Sequence, residues 1–198
     1  MINDPQILKL IRAVEEANSS NSLLDAVRSL AATCHLGAID TLIRVLGYNN
    51  PGAAVAAVDG LIELGEPAVL PLLQQLDDYN YGARAWAVRA LAGIGDPRGL
   101  EVLLTAAETD FALSVRRAAA KGLGSIRWSE MNVLEMPSAQ AKAIKTLLLV
   151  SQDPEWIVRY AAVVGLQALA TQLDVIHPPI QDRFAEMALK EPELAVRG

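Results

Sequence analysis

Apolar residues along most of this chain recur every three or four positions, the spacing that lines one face of an α-helix. Ile7, Leu8, Leu10, Ile11 and Val14 form such a stripe after Asp4-Pro5, and Asn18-Ser19-Ser20-Asn21 closes it. From there the pattern predicts helices in pairs: residues 22–34 with 37–47, 52–64 with 67–76, a first helix inside 78–98 with 97–107, 112–126 with 137–150, and 154–171 with 178–190. The stretch Asp78 to Arg98 shows how each pair is written. Val88, Leu91 and Ile94 supply an apolar face, Gly95 stops the helix, and Asp96-Pro97 opens the next one. Asp96 can accept from the free N–H groups of the new helix, and Pro97 loses nothing at its first position.

The first helices align. Leu30, Leu61, Leu91, Leu123 and Leu166 fall in register at steps of 31, 30, 32 and 43, with Thr33, Leu64, Ile94, Ile126 and Leu169 three residues on. A period in the low thirties built from two helices means an all-α fold, an α-solenoid or superhelix of about five two-helix repeats after an N-terminal helix, read as one domain over residues 1–198. Ala57, Ala87, Ala119 and Ala162 are small enough to let neighbouring helices approach closely.

Charge repeats with the same period. Asp78, Asp110, Asp153 and Glu191 each precede an arginine by six residues: Arg84, Arg116, Arg159 and Arg197. An acid suits a helix N-terminus, and the arginine about a turn and a half later can reach that acid or the next repeat's. Four repetitions mark scaffold rather than active site.

The pattern breaks in a few places. Tyr48 and Ala54 replace acid and arginine in the second repeat. Trp86 stands where other repeats have Ala56, Ala118 and Ala161, next to Tyr79 and Tyr81. An insertion from Arg127 to Met136 carries Trp128, Met131 and Met136 in a loop that could have been polar, which predicts a protein-contact patch. Pro192 to Gly198 begins a sixth repeat, so Leu194 and Val196 are expected on an exposed apolar end that meets a partner.

Composition narrows the function classes. With 198 residues, 52% of them hydrophobic and only 5% aromatic, the chain can bury a core of alanine and leucine without disulfides. The net charge is −6 with no Lys/Arg block, which argues against nucleic acid as main partner. No apolar run approaches the roughly 18 residues of a membrane span, and Met1-Ile-Asn-Asp-Pro lacks the parts of a signal peptide. A soluble protein of a reducing cytoplasm is expected.

No P-loop, Gly-x-Ser-x-Gly, dinucleotide fingerprint or His-Glu-x-x-His occurs. Cys34 and His35 are adjacent, and helical neighbours point about 100° apart, a poor nucleophile-base pair. Cys34 reads as a small buried hydrophobe, His35 as a turn residue, and His177 as the residue before a helix start at Pro178-Pro179. No histidine has a second one at ligand spacing, so no metal is expected. Trp86 reads equally as core filling or as an aromatic wall for a flat conjugated ligand, with Tyr79 and Tyr81 at its lip and Arg84 or Arg89 pairing acidic groups.

Asn80-Tyr-Gly-Ala-Arg-Ala-Trp-Ala-Val-Arg-Ala-Leu-Ala-Gly-Ile-Gly-Asp-Pro-Arg98 and Asp110-Phe-Ala-Leu-Ser-Val-Arg-Arg-Ala-Ala-Ala-Lys-Gly-Leu-Gly124 resemble the HEAT-like phycobilin lyase family, and within it the smaller, F-type subunits. The resemblance covers nearly the whole chain. It implies HEAT-like repeats, pairing with a larger E-type subunit, and phycocyanobilin bound as substrate, with no permanently bound cofactor. It implies addition of one cysteine thiol of the phycocyanin α subunit to the ethylidene group of the bilin, in the cyanobacterial cytoplasm near the phycobilisomes. Related phycoviolobilin enzymes also isomerise the bilin through an Asn-His-Cys-Gln-Gly-Asn stretch; here the chain reads Tyr48-Asn-Asn-Pro-Gly52, so attachment without isomerisation is expected.

Such a task needs no nucleophile from this chain. Holding the tetrapyrrole in one conformation can lower the barrier by several kcal/mol. Composition breaks, not a family motif, assign Arg84 and Arg89 to the propionates, Trp86, Tyr79 and Tyr81 to the ring system, and Asp78 to the pyrrole nitrogens or to capping. Two rivals stand beside this reading. One is a non-catalytic adaptor that binds phycobiliproteins during assembly or degradation. The other is a hydrolase using Cys34 and His35.

Overall fold

The computed structural model describes residues 4–76, 81–173 and 177–197, and for Tyr81 its backbone alone. Among these residues there are α-helices and short 3-10 turns and no strand. Of the residues singled out in the sequence, Asp78, Tyr79 and the side chain of Tyr81 lie outside the described set. The chain divides into two compact units, Met1–Ile94 and Gly95–Gly198.

The first unit holds α1 (Pro5–Glu15), α2 (Ser20–Ala31), α3 (Ile39–Leu46), α4 (Pro51–Leu64), α5 (Val69–Gln75) and α6 (Tyr81–Ile94). Three of these starts show a local cause. Asp4 accepts from the Gln6 N–H at 2.8 Å with Pro5 at the first helical position, and Ser19 and Ser22 exchange side-chain and backbone hydrogen bonds in a capping box. Asn50 opens α4 by accepting from the Ala53 N–H, and its amide also donates to the Ser20 carbonyl, 3.0 Å each. The first helices α2, α4 and α6 pack side by side, and α3 and α5 form a second layer against them.

The second unit repeats the plan with α7 (Leu100–Thr109), α8 (Leu113–Leu123), α9 (Met136–Val150), α10 (Trp156–Gln172), α11 (Pro178–Lys190) and α12 (Leu194–Arg197). Here α8, α10 and α12 pack in one layer and α7, α9 and α11 in the other. Gly95 has φ +71, a left-handed conformation that closes the preceding helix, and a Cβ there would also strike the Ser125 carbonyl. Gly124 and Gly165 bring α8 and α10 into backbone contact, since a Cβ on Gly124 would lie 2.5 Å from the Gly165 carbonyl oxygen.

The aligned leucines Leu30, Leu61, Leu91, Leu123 and Leu166 are all buried to within 1%, and Ala57, Ala87, Ala119 and Ala162 are fully buried. Burying each leucine contributes about 1.5–3 kcal/mol. Two expectations are corrected. Cys34 is not in a helix and not buried; it is exposed in the turn after α2, with a left-handed φ of 47°. Val196 is buried, because α12 packs back on α10, while Leu194 stands 73% exposed.

Candidate functional site

The arginine ladder is the best-defined polar feature, and it is structural. Arg116 donates to the Asp110 carbonyl of its own repeat at 2.9 Å and to both carboxylate oxygens of Asp153 in the next, at 2.8 and 3.2 Å. Arg159 repeats this with the Asp153 carbonyl and the Glu191 carboxylate, at 2.9, 2.9 and 2.6 Å. Each acid also accepts from the backbone N–H two residues on: Ala112, Glu155 and Glu193. Glu191 is buried, and the hydrogen bonds from Arg159 hold its carboxyl below the usual carboxylate range. Asp96 is buried and likewise depressed, chiefly by the Arg98 side chain, which it clamps at 2.7 and 2.9 Å while capping the Arg98 N–H.

Trp86, Arg89 and Arg84 do not form one cluster. On α6, Trp86 and Arg89 share a face one turn apart, and the Arg89 guanidinium lies over the indole, 5.5 Å from its centre. Arg84 is two residues from Trp86, about 200° around the helix, and is half-buried at the ladder position. Trp86 is half-buried and Arg89 exposed, so the pair is a platform on the surface of α6.

The contact patch expected in the insertion is differently placed. Trp128 is buried at 4% exposure in a 3-10 turn, Trp128–Glu130, and its indole N–H has no partner among the described residues. It is core rather than contact surface. Met131 and Met136 are half-buried. The exposed apolar side chains of the insertion are Val133 at 71% and Leu134 at 85%, smaller residues whose exposure no local pattern signals.

Cys34 and His35 are not joined by any hydrogen bond among the described residues; the His35 Nδ1 instead accepts from the Gly37 N–H at 3.0 Å. His177 precedes α11 as expected, and it borders a feature the sequence did not reveal. Between α9 and the start of α11 runs a groove of 470 Å³ with Pro137, Ala141, Ile144, Leu148 and Pro179 as apolar walls. Gln140, Lys145 and His177 are the polar residues lining it. The only trace in the sequence is the stripe Gln140, Ile144, Leu148 at four-residue steps, which reads as an ordinary helix face. A larger groove of 630 Å³ lies in the first unit, but its arginine, Arg44, is already engaged by Glu15 and Thr41.

A family model described as HEAT repeats matches residues 69–167. Over 192 residues the chain is 55% identical to the phycocyanin alpha phycocyanobilin lyase CpcF of Synechocystis sp., spanning 97% of this chain and 90% of that one. The chain belongs to the phycocyanobilin lyase subunit family of HEAT-repeat proteins. The phycocyanobilin lyase subunit beta of Pseudanabaena tenuis is 57% identical over 98% of this chain and 70% of its own length. Among solved structures, the complex of CpcE and CpcF of phycocyanin lyase from Nostoc sp. matches with a TM-score of 0.77 at 55% identity, over 82% of this chain and 95% of the matched one. The α-solenoid expected from the repeat period and the F-type resemblance are both borne out.

Proposed function

We propose that this chain is the smaller subunit of a two-subunit phycocyanobilin lyase, which binds phycocyanobilin and directs its thioether attachment to a cysteine of the phycocyanin α subunit without isomerising it. The observation that carries this is the 55% identity over nearly the full length to the Synechocystis lyase CpcF, together with the match to the complex of CpcE and CpcF. The partner is a larger E-type subunit. In the reaction the acceptor sulfur bonds to the exocyclic ethylidene carbon, the double bond opens, and the thiol proton ends on the adjacent ring carbon. Nothing is oxidised or reduced, and the nucleophile comes from the acceptor. This chain therefore contributes binding and orientation.

On α6, the Trp86–Arg89 pair offers a flat aromatic face with a cation on it, which suits a conjugated ring system bearing propionates. The expected site of action is the cytoplasm; no helix among the described residues is long and apolar enough to cross a membrane. Co-expressing the chain with an E-type subunit, phycocyanin α and a phycocyanobilin source tests the reading. Covalent, zinc-fluorescent acceptor is expected only when both subunits are present. Undiminished attachment without this chain would leave the adaptor reading instead. Cys34→Ser should leave attachment unchanged, since no hydrogen bond among the described residues joins the exposed thiol to His35.

A further inference from the structure

Several cations of the second unit are committed. Arg116 and Arg159 serve the ladder, Arg183 is held by the Ser151 hydroxyl and carbonyl and by Glu186, and Lys142 pairs with Glu101. The groove between α9 and α11 is different. Gln140, Lys145 and His177 surround its apolar walls, and none of the three makes a side-chain hydrogen bond or ion pair among the described residues. Among the described residues no carboxylate lines it, although the chain carries six more acids than bases.

Size, polarity and charge together define the ligand. A cleft of 470 Å³ lies within the range of about 300–1,000 Å³ usual for small-molecule sites, which are mostly apolar with a few placed polar groups. An apolar body needs the walls formed by Ala141, Ile144, Leu148 and Pro179. A negative group is needed opposite Lys145, and the His177 ring and the Gln140 amide can complete its hydrogen bonds. Beyond Leu148 and Pro179, which both clefts share, lies a second cleft of 310 Å³ lined by Asp182, Arg183 and Glu186, the last two paired with each other. Asp182 there can accept from N–H groups farther along the same ligand. A linear molecule with carboxylates at one place and N–H donors at another fits this order of charges.

We propose that the α9–α11 groove is a bilin-binding site, separate from the α6 pair, in which Lys145 takes a propionate and His177 and Gln140 position it. The proposal rests on the lyase reading for the identity of the ligand, and on the groove for its place.

The test titrates the full chain, alone and with its E-type partner, with phycocyanobilin and with the bilin dimethyl ester, following absorbance. Ala141 is exposed, so Ala141→Trp fills the groove without touching the core. It should weaken binding of acid and ester alike by about tenfold or more, the scale of a lost set of walls. Lys145→Glu should weaken the free acid by about tenfold and leave the ester unchanged, as expected for one charge-assisted hydrogen bond. Circular dichroism confirms that both variants fold. Binding that survives Ala141→Trp but falls with Trp86→Phe would overturn the proposal and leave the lyase reading intact. Equal loss of acid and ester on Lys145→Glu would overturn the assigned role of Lys145. Displacement by dodecanoate from a groove whose filling does not affect bilin would make it a fatty-acid site and also overturn it. Failure of the lyase reading appears elsewhere, as attachment without this chain, and leaves the titrations unaffected.

Discussion

Two joints between neighbouring repeats do the same work with different chemistry. Where α4 meets α2, the Asn50 amide caps its own helix and bonds the Ser20 carbonyl, a neutral link at 3.0 Å. Where α10 meets α8 and α12, Arg116 and Arg159 bridge to acids that are themselves capping. Both satisfy the free N–H groups at a helix start and fix the next repeat's position. Only the second couples that geometry to charge, at side chains just 5–14% exposed. The solenoid is thus held by a common leucine register, with joints that answer to different solution conditions.

The largest effects should come from the register both units share. Leu166→Ala and Leu61→Ala each empty a fully buried leucine site, and each is expected to cost about 2–5 kcal/mol in urea unfolding. A loss under 1 kcal/mol at either would mean the register does not carry the core. Next comes the charged joint. Arg159→Met leaves Glu191 buried without its partner, at a cost of about 3 kcal/mol, while Asn50→Ala at the neutral joint should cost about 1 kcal/mol. Equal costs would erase the distinction.

The charged joint should also respond to acid. Hydrogen bonds from Arg159 put the folded value for Glu191 below its ordinary 4.5. The contribution of the pair is therefore fully present above that ordinary value and drains away as pH falls through the depressed one. Urea midpoints between pH 7 and pH 3 should fall in the wild type, and Arg159→Met should flatten part of that fall. Asn50→Ala should leave the slope unchanged, since an amide does not titrate in this range. A slope that Arg159→Met leaves intact would place the acid sensitivity elsewhere.

The fold was legible because its signals are local and repeated. Gly95, Asp96-Pro97 and the leucine register each specify geometry within one turn, and the structure places all of them as the pattern requires. The ladder was half legible: six-residue spacing identified the partners, but only the packed repeats show that each carboxylate taken is the next repeat's. The candidate sites were the least legible, because burial and cavities depend on tertiary packing. Trp128 drew attention by size and turned out to be core, while Cys34 read as core and stands exposed. Lys145 and His177 are 32 residues apart and meet at one groove only when α9 and α11 pack.

The exposed tip of the insertion between α8 and α9 gives the smallest effect on stability, beside a buried residue that gives one of the largest, and so separates core from contact. Trp128 is buried there, and Trp128→Ala should cost about 3–5 kcal/mol. Val133 and Leu134, five and six residues on, are 71% and 85% exposed, so replacing both by serine should change stability by no more than about 0.5 kcal/mol. Two adjacent, exposed branched aliphatics in a loop gain nothing from solvent, and burying them against another protein would recover the transfer energy of two side chains. The double variant is therefore expected to weaken association with the E-type subunit by about tenfold, at unchanged thermal midpoint. Analytical ultracentrifugation of the mixed subunits reads both species directly. If the double variant pairs as tightly as the wild type, the insertion is not part of that interface and its exposed apolar side chains serve something other than the partner subunit.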